Sequence, residues 1–327
     1  MREDLKEEGD KPRFKRDKYF LFSILFLILL VCIIQGCGGP SLSITKWSIG
    51  GGSAGGVYLP LATGISEIIK TNIAGVDFSA KNTGGSVENI RLLKNDKVQL
   101  AIVQHDVALH AYKGEENFVG DPFKQLRVVA EMYVEGLQII ARKKSKIKKL
   151  KHLRRKKVVL GPDKSGTYVT ASRVFDEAGI FEKIEPVFER LGPALGHLED
   201  GEVDAVCFMS GIPSAAVEKF LKSGKFRLIS VPAKVIKRLK KRHPYYSGYS
   251  IRKGSYKGVK RLIRTIGIKA LLVTTDGMQD GDISTIVKLL QKNRKKLKKV
   301  HVLGGEFNTK IKKNAMQLPV HNGVSNN

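Results

Sequence analysis

A chain of 327 residues, 42% hydrophobic and 27% charged, is globular in composition and long enough to bury the cores of two α/β domains. Its net charge of +27 is concentrated in runs at residues 142–157, Lys234 to Arg242 and Lys288 to Lys299. These runs lack interleaved aromatic residues, which argues against nucleic acid as a partner and for solvated faces or attraction to an anionic envelope surface.

Residues 1–36 read as a signal peptide. Lys15, Arg16 and Lys18 precede an apolar stretch, Phe20 to Ile34, of about fifteen residues. That is short of the roughly twenty needed to span a bilayer and suits a signal core. The stretch ends Ile34-Gln35-Gly36-Cys37, which resembles the lipobox of bacterial lipoproteins. Cys37 is the expected lipidation site, and 37–43 the linker that follows it. An uncleaved anchor is the other reading, and both export the rest of the chain. The expected location is the periplasmic or cell-surface face of a bacterial membrane, with membrane attachment through the lipid and no nucleic-acid contact.

Trp47 to Ile49 predicts a short strand, and Gly50 to Gly56 a glycine loop. Tyr58, Leu61, Ile65, Ile68 and Ile69 then fall on one face of a helix. Such a loop lets bare backbone approach a ligand, and the helix start beyond it offers unpaired N–H groups to an anion. Val76 to Ala80 alternates as a strand and runs into Asn82-Thr83-Gly84-Gly85-Ser86, with Ser86 expected as the N-cap of a helix carrying Val87, Ile90 and Leu93. Val98 to Val103 is a buried strand ending at Gln104-His105-Asp106. His105 and His110 are five apart, a spacing that does not put them on one helix face. Three strands in a row thus end in polar or glycine-rich loops, which line the ligand crevice of an open α/β sheet.

The plan repeats. Gly136 to Ala141 predicts a crossing strand, and Val158 to Gly161 a strand breaking into Pro162-Asp163-Lys164-Ser165-Gly166-Thr167 before another helix. Gly192-Pro193 leads into a short helix, and Val203 to Met209 is a strand ending Ser210-Gly211, with Cys207 a small buried hydrophobe. Lys234 to Arg242 is a basic helix. Tyr245, Tyr246, Tyr249 and Tyr256 form an aromatic cluster, read as packing of an inter-lobe loop rather than a lid. Ile268 to Thr275 returns the chain to the first lobe, and Ile283 to Val300 is one helix whose lysines are its wet face. No CxxC or clustered histidines occur, so neither a metal nor a cofactor is expected. No nucleophile stands beside a credible base, so no enzymatic chemistry is expected either, although sequence separation alone does not exclude a triad built on Ser53 or Ser165.

The stretches IGGGSAGGVYLP at 49–60, NTGGSVENIRLLKNDKVQLAIVQHD at 82–106, GPDKSGTYVTASRVFDEAGI at 161–180, GEVDAVCFMSGIP at 201–213, HPYYSGYSIRKGSYKG at 243–258 and LPVHNG at 318–323 carry a resemblance. In order and spacing the chain resembles the TAXI family of solute-binding proteins, which serve tripartite (TRAP) transporters. Leu59 and His105 depart from the family's usual residues, and His321 in the last stretch reads as a solvated tail histidine. The resemblance implies an α/β type II periplasmic-binding fold of two lobes with a hinge. Lobe 1 would take 44–136 and 266–320, lobe 2 would take 137–265, and 321–327 would be a tail.

The resemblance also implies a small anionic solute, glutamate or a related dicarboxylate or 2-oxo acid, handed to a TRAP-type membrane permease. Carried over by position, Ser53, Gly55, Gly56, Val57, Tyr58, Thr83, Gly84, Gly85, Ser86, Asn89 and Gln104 would hold one side of the ligand. Ser165, Gly166, Thr167, Ser210 and Gly211 would close on it. Neutral hydroxyls and helix N-termini favour a carboxylate without needing an arginine. A sensor lipoprotein of the same fold feeding a signalling receptor is the alternative, and a basic surface-adhesion protein a more distant one.

Overall fold

The computed structural model describes residues 45–311 and 316–325. The segments expected as signal peptide and linker, and Cys37, lie outside the described residues. Ten strands form one sheet in the order β2 (Val76–Lys81), β1 (Thr45–Gly50), β3 (Leu100–Gln104), β10 (Ile263–Thr275), β4 (Leu126–Arg142), β7 (Ala205–Ser210), β5 (Lys157–Val159) and β6 (Glu185–Val187), with β8 (Phe226–Leu228) added to β4 and β9 (Ser247–Ile251) to β10.

The first lobe opens with β1 (Thr45–Gly50), α1 (Tyr58–Asn72), β2 (Val76–Lys81), α2 (Ser86–Lys94), β3 (Leu100–Gln104) and α3 (His105–Lys113). β1 pairs in parallel with β2 and β3. β3, LAIVQ, is buried at every position, as expected of a central strand covered by helices on both faces. α1 packs Leu61, Ile65, Ile68 and Ile69 on one face of the sheet, and α2 and α3 cover the other through Ile90, Leu93, Val107 and Ala108.

The second lobe holds β5 (Lys157–Val159), α4 (Gly166–Glu177), β6 (Glu185–Val187), α5 (Leu191–Asp200), β7 (Ala205–Ser210), α6 (Ala215–Lys222), β8 (Phe226–Leu228), α7 (Ala233–Arg242) and β9 (Ser247–Ile251). α4 and α7 fill one face with Val174, Phe175, Val235 and Leu239; α5 and α6 fill the other with Leu195, Leu198, Val217 and Leu221. Cys207 is buried among these side chains.

Two long strands run through both lobes. β4 (Leu126–Arg142) pairs with β7 and β8 at its far end, and β10 (Ile263–Thr275) pairs with β9 at its start and β3 near its end. They pair with each other, antiparallel, from Leu126 opposite Thr275 to Gly136 opposite Gly267. Both exceed their sequence expectations, Gly136 to Ala141 and Ile268 to Thr275. Arg127, Glu131 and Glu135 interrupt the apolar run of β4, and Arg264 that of β10. Their backbones are held in the ladder regardless: Arg127, Glu131 and Glu135 lie in the stretch paired with β10, and Arg264 pairs with Ser250 of β9.

The chain returns to the first lobe through α8 (Asp280–Lys292) and α9 (Arg294–Val300). The single helix expected over Ile283 to Val300 is therefore two. It breaks at Asn293, which leaves helical geometry at φ −98, ψ 16 while its side-chain amide donates to the Leu289 carbonyl at 2.9 Å. α10 (Asn322–Ser325) closes the described chain. His321 is not solvated: it is 2% exposed, its backbone N–H donates to the Val128 carbonyl, and its ring meets the Met278 carbonyl at 3.1 Å. Among the described residues no helix is long and apolar enough to cross a membrane.

Candidate functional site

The C-terminal ends of β1, β3, β5 and β7 and the helix starts beyond them face one another between the lobes. They enclose a cavity of about 50 Å³, room for a few water molecules. Of the residues singled out in the sequence, Ser53, Gly56, Val57, Tyr58, Gly84, Gly85, Ser86 and Gln104 line it from the first lobe. Ser165, Gly166, Thr167 and Ser210 line it from the second.

Three helices begin at this cavity. Among the described residues no side chain caps α1 or α2, so the first-turn N–H groups there, Pro60 of α1 having none, lack a side-chain partner. α4 is capped by Ser165, whose hydroxyl accepts from the Tyr168 N–H at 3.2 Å. Ser86 does not play the expected cap. Gly85 occupies that position with φ 108, a backbone region in which glycine escapes the Cβ clash, and Ser86 is already helical. Its hydroxyl instead accepts from the Gln104 backbone N–H at 2.9 Å, pinning the end of β3. The Thr167 hydroxyl does the equivalent for β7, accepting from the Met209 N–H at 3.1 Å.

Four of the predicted residues stand behind the cavity wall. Asn89 is fully buried, and its amide donates to the carbonyls of Gly50 at 3.2 Å and Ile102 at 2.8 Å and also to that of Gly51. Thr83 donates to the Gly51 carbonyl at 2.9 Å. The two side chains hold the glycine loop in place. Gly55 has φ 88, and its carbonyl accepts from the Ser214 hydroxyl at 2.9 Å and the Ala216 N–H at 3.3 Å, a contact from lobe to lobe. A Cβ on Gly211 would run into Leu303 and Tyr133, so this position serves close packing.

The cavity also has walls that the sequence reading did not name: Gly52, Phe208, Met209 and Glu135. Glu135 lies on β4, is 2% exposed, and accepts a hydrogen bond from the Tyr58 hydroxyl. Burial pushes its carboxyl up to about 8; the Tyr58 hydrogen bond works against that and the Asp106 charge adds to it. Burial likewise raises the Tyr58 phenol. The one signal in the sequence was a lone acid in the otherwise apolar and polar-neutral stretch Met132 to Ala141.

To one side of the cavity the lobes are joined by a second polar cluster. Asp106, at the start of α3, accepts from the Tyr246 hydroxyl at 2.7 Å and lies 3.7 Å from Arg173 on α4. Arg173 also meets Glu116 at 3.0 Å, the Tyr245 hydroxyl at 2.8 Å and a ring nitrogen of His110 at 3.1 Å. The rings of His105 and His110 both meet Tyr245 edge-on, at 6.1 and 6.2 Å, so the two histidines converge on one partner despite their spacing. Tyr245 and Tyr246 therefore bridge the lobes beside the cleft, while Tyr256 is buried and donates to Gln138 at 2.6 Å.

Two α/β lobes joined by crossing strands, with strand ends and helix starts facing across a polar cleft, define a type II periplasmic-binding fold. The sequence model of the NMT1-like family matches residues 49–326, and the chain belongs to that family. A solved structure from Bordetella bronchiseptica RB50 is similar at 15% identity, over 79% of this chain and 75% of that one, with a TM-score of 0.50. A Xanthomonas citri protein solved bound to ATP is similar at 10% identity, over 86% and 97% of the two chains, with a TM-score of 0.51. A TctC solute-binding protein from Polaromonas is similar at 15% identity, over 80% and 88%, with a TM-score of 0.46. At these identities the first two likenesses bear on the fold and not on the ligand.

Proposed function

We propose that the protein is an exported solute-binding receptor. It captures a small anionic metabolite, glutamate or a related dicarboxylate or 2-oxo acid, between its lobes and delivers it to a TRAP-type permease, as the TAXI resemblance implies. It performs no chemistry on its cargo. Binding closes the lobes, and the closed form is what the permease recognises. The N-terminal segment acts as a lipoprotein signal, and a lipid on Cys37 tethers the receptor to the membrane.

One observation carries this reading. The cleft is built from both lobes out of helix starts, two of them uncapped, with glycine backbone and the hydroxyls of Ser53, Ser86 and Ser210. Such an array suits a carboxylate, because aligned N–H dipoles favour negative charge where the backbone can approach. Contacts such as Ser214 to Gly55 and Gln104 to Thr170 at 3.2 Å are the kind that closure would make and opening would break.

The test is a thermal-shift screen of the purified protein with glutamate, glutamine, 2-oxoglutarate, succinate and aromatic acids. A cognate ligand at 100 times its dissociation constant stabilises the fold by about 2.7 kcal/mol. A folded sample that responds to none of these carboxylates contradicts the assignment of the cleft. Separately, Cys37→Ser is expected to abolish labelling by a radioactive fatty acid in cells, and labelling that persists contradicts lipidation at that residue.

A further inference from the structure

The cavity is polarised. At one side stand the starts of α1, α2 and α4, all offering donors. At another stands Glu135, and among the described residues no Lys, Arg or His lines the cavity with it. The groups that face Glu135 are Tyr58 from α1, Tyr133 from its own strand and Asp106 from α3, so none of them is a cation. The nearby cations are engaged elsewhere: Arg173 with Asp106 and Glu116, and Lys269 with Glu131. One oxygen of Glu135 takes the Tyr58 hydrogen bond, and among the described residues nothing donates to the other. A buried carboxylate without a counter-ion is costly, and a group so placed stays protonated until a cation arrives.

We propose that the solute supplies that cation: it sets a carboxylate on the helix starts and a protonated amine against Glu135, so the cleft selects α-amino acids over 2-oxo acids and dicarboxylates lacking the amine. The inference rests on the binding-receptor reading and narrows its ligand class. An α-amino acid carries both charges within one small head, as the donor side and Glu135 together require. A dicarboxylate or 2-oxo acid brings only negative charge and offers Glu135 no cation to ionise against. As the ammonium arrives, the Glu135 proton leaves to solvent and an N–H⁺ to carboxylate hydrogen bond replaces it, with Tyr58 still donating to the other oxygen. Affinity then rises with pH up to about 8, as the carboxyl becomes easier to ionise.

Calorimetric titration tests this on the intact protein, using L-glutamate against 2-oxoglutarate and L-alanine against pyruvate. The comparison within the wild-type protein needs no variant to fold. It is expected to favour the amino acid of at least one pair by tenfold or more. Glu135→Gln keeps a hydrogen-bonding partner for Tyr58 but removes the charge, and should bring the two members of that pair to similar affinity. A wild-type protein that prefers the oxo acids, or a preference for the amine that survives in Glu135→Gln, overturns this inference while leaving the receptor reading in place. A folded protein that binds neither class overturns both.

Discussion

Two carboxyl groups are buried between the lobes, one in the cavity wall and one beside it, and the protein treats them in opposite ways. Asp106 is fully buried and saturated: it accepts from the Val107 N–H at 2.8 Å, the Gln104 amide at 3.2 Å and the Tyr246 hydroxyl at 2.7 Å, with Arg173 at 3.7 Å. Glu135 is almost as deeply buried, yet among the described residues its hydrogen-bonding partner is the Tyr58 hydroxyl alone and no cation faces it. Low dielectric strengthens a satisfied polar network and penalises an unsatisfied charge, so equal burial leads to different roles. Asp106 belongs to a joint between the lobes. Glu135 waits in the cavity wall for a partner from outside the chain.

The comparison breaks most visibly at Asp106. Asp106→Ala leaves the Arg173 charge and the Tyr246 hydroxyl without their shared acceptor, and removing one member of a buried pair costs about 3–5 kcal/mol. Urea unfolding measures this, and a loss under about 1 kcal/mol would erase the distinction between the two acids.

Ser86→Ala and Thr167→Ala test the donor side of the cavity. Each removes the acceptor of a buried strand-end N–H, for a loss of about 1–3 kcal/mol by the same measurement. Each is also expected to weaken ligand binding while the fold survives. Unchanged affinity in both variants would mean the cleft assignment is wrong.

The next effect is the pH dependence of stability carried by Glu135. Its folded value, about 8, lies above the ordinary 4.5, so between those limits the native state holds a proton that the unfolded state has lost. Stability from this group is full below about 4.5 and is lost as pH rises toward 8, at no more than about 1.4 kcal/mol per pH unit. The ligand-free wild type should therefore lose ground to Glu135→Gln as pH is raised through that window. Parallel stability profiles would contradict a buried, unpaired acid.

The smallest effect has the opposite sign. Burial lowers His110 from its ordinary 6.5, so below that pH the unfolded state binds the proton more readily and stability falls on acidification. His110→Gln should remove part of that fall, by under about 1 kcal/mol per pH unit. An identical acid limb in variant and wild type would take His110 out of the joint.

Much of the architecture was legible because its signals are local. Glycine- and serine-rich loops after short apolar strands marked the cavity from both lobes, and helical spacing of Leu61, Ile65, Ile68 and Ile69 marked the face of α1. What escaped depends on contacts distant along the chain. Glu131 and Glu135 look alike in the sequence, yet Glu131 pairs with Lys269 on β10 while Glu135 meets Tyr58 across 77 positions of chain. Asn89 and Thr83 carry the chemistry of ligand-binding residues but spend it on the glycine loop's own carbonyls. The break at Asn293 was hidden because lysines and leucines keep a helical pattern on both sides of it.

On the proposed recognition, Glu135 is a neutral acid in the empty cleft and a carboxylate in the filled one. Titrating the preferred amino acid at pH 7 in buffers of different ionisation enthalpy counts the protons exchanged on binding. The account predicts release of about one proton per ligand bound by the wild type and none by Glu135→Gln. Binding without proton release in the wild type, or equal release in the variant, would contradict it.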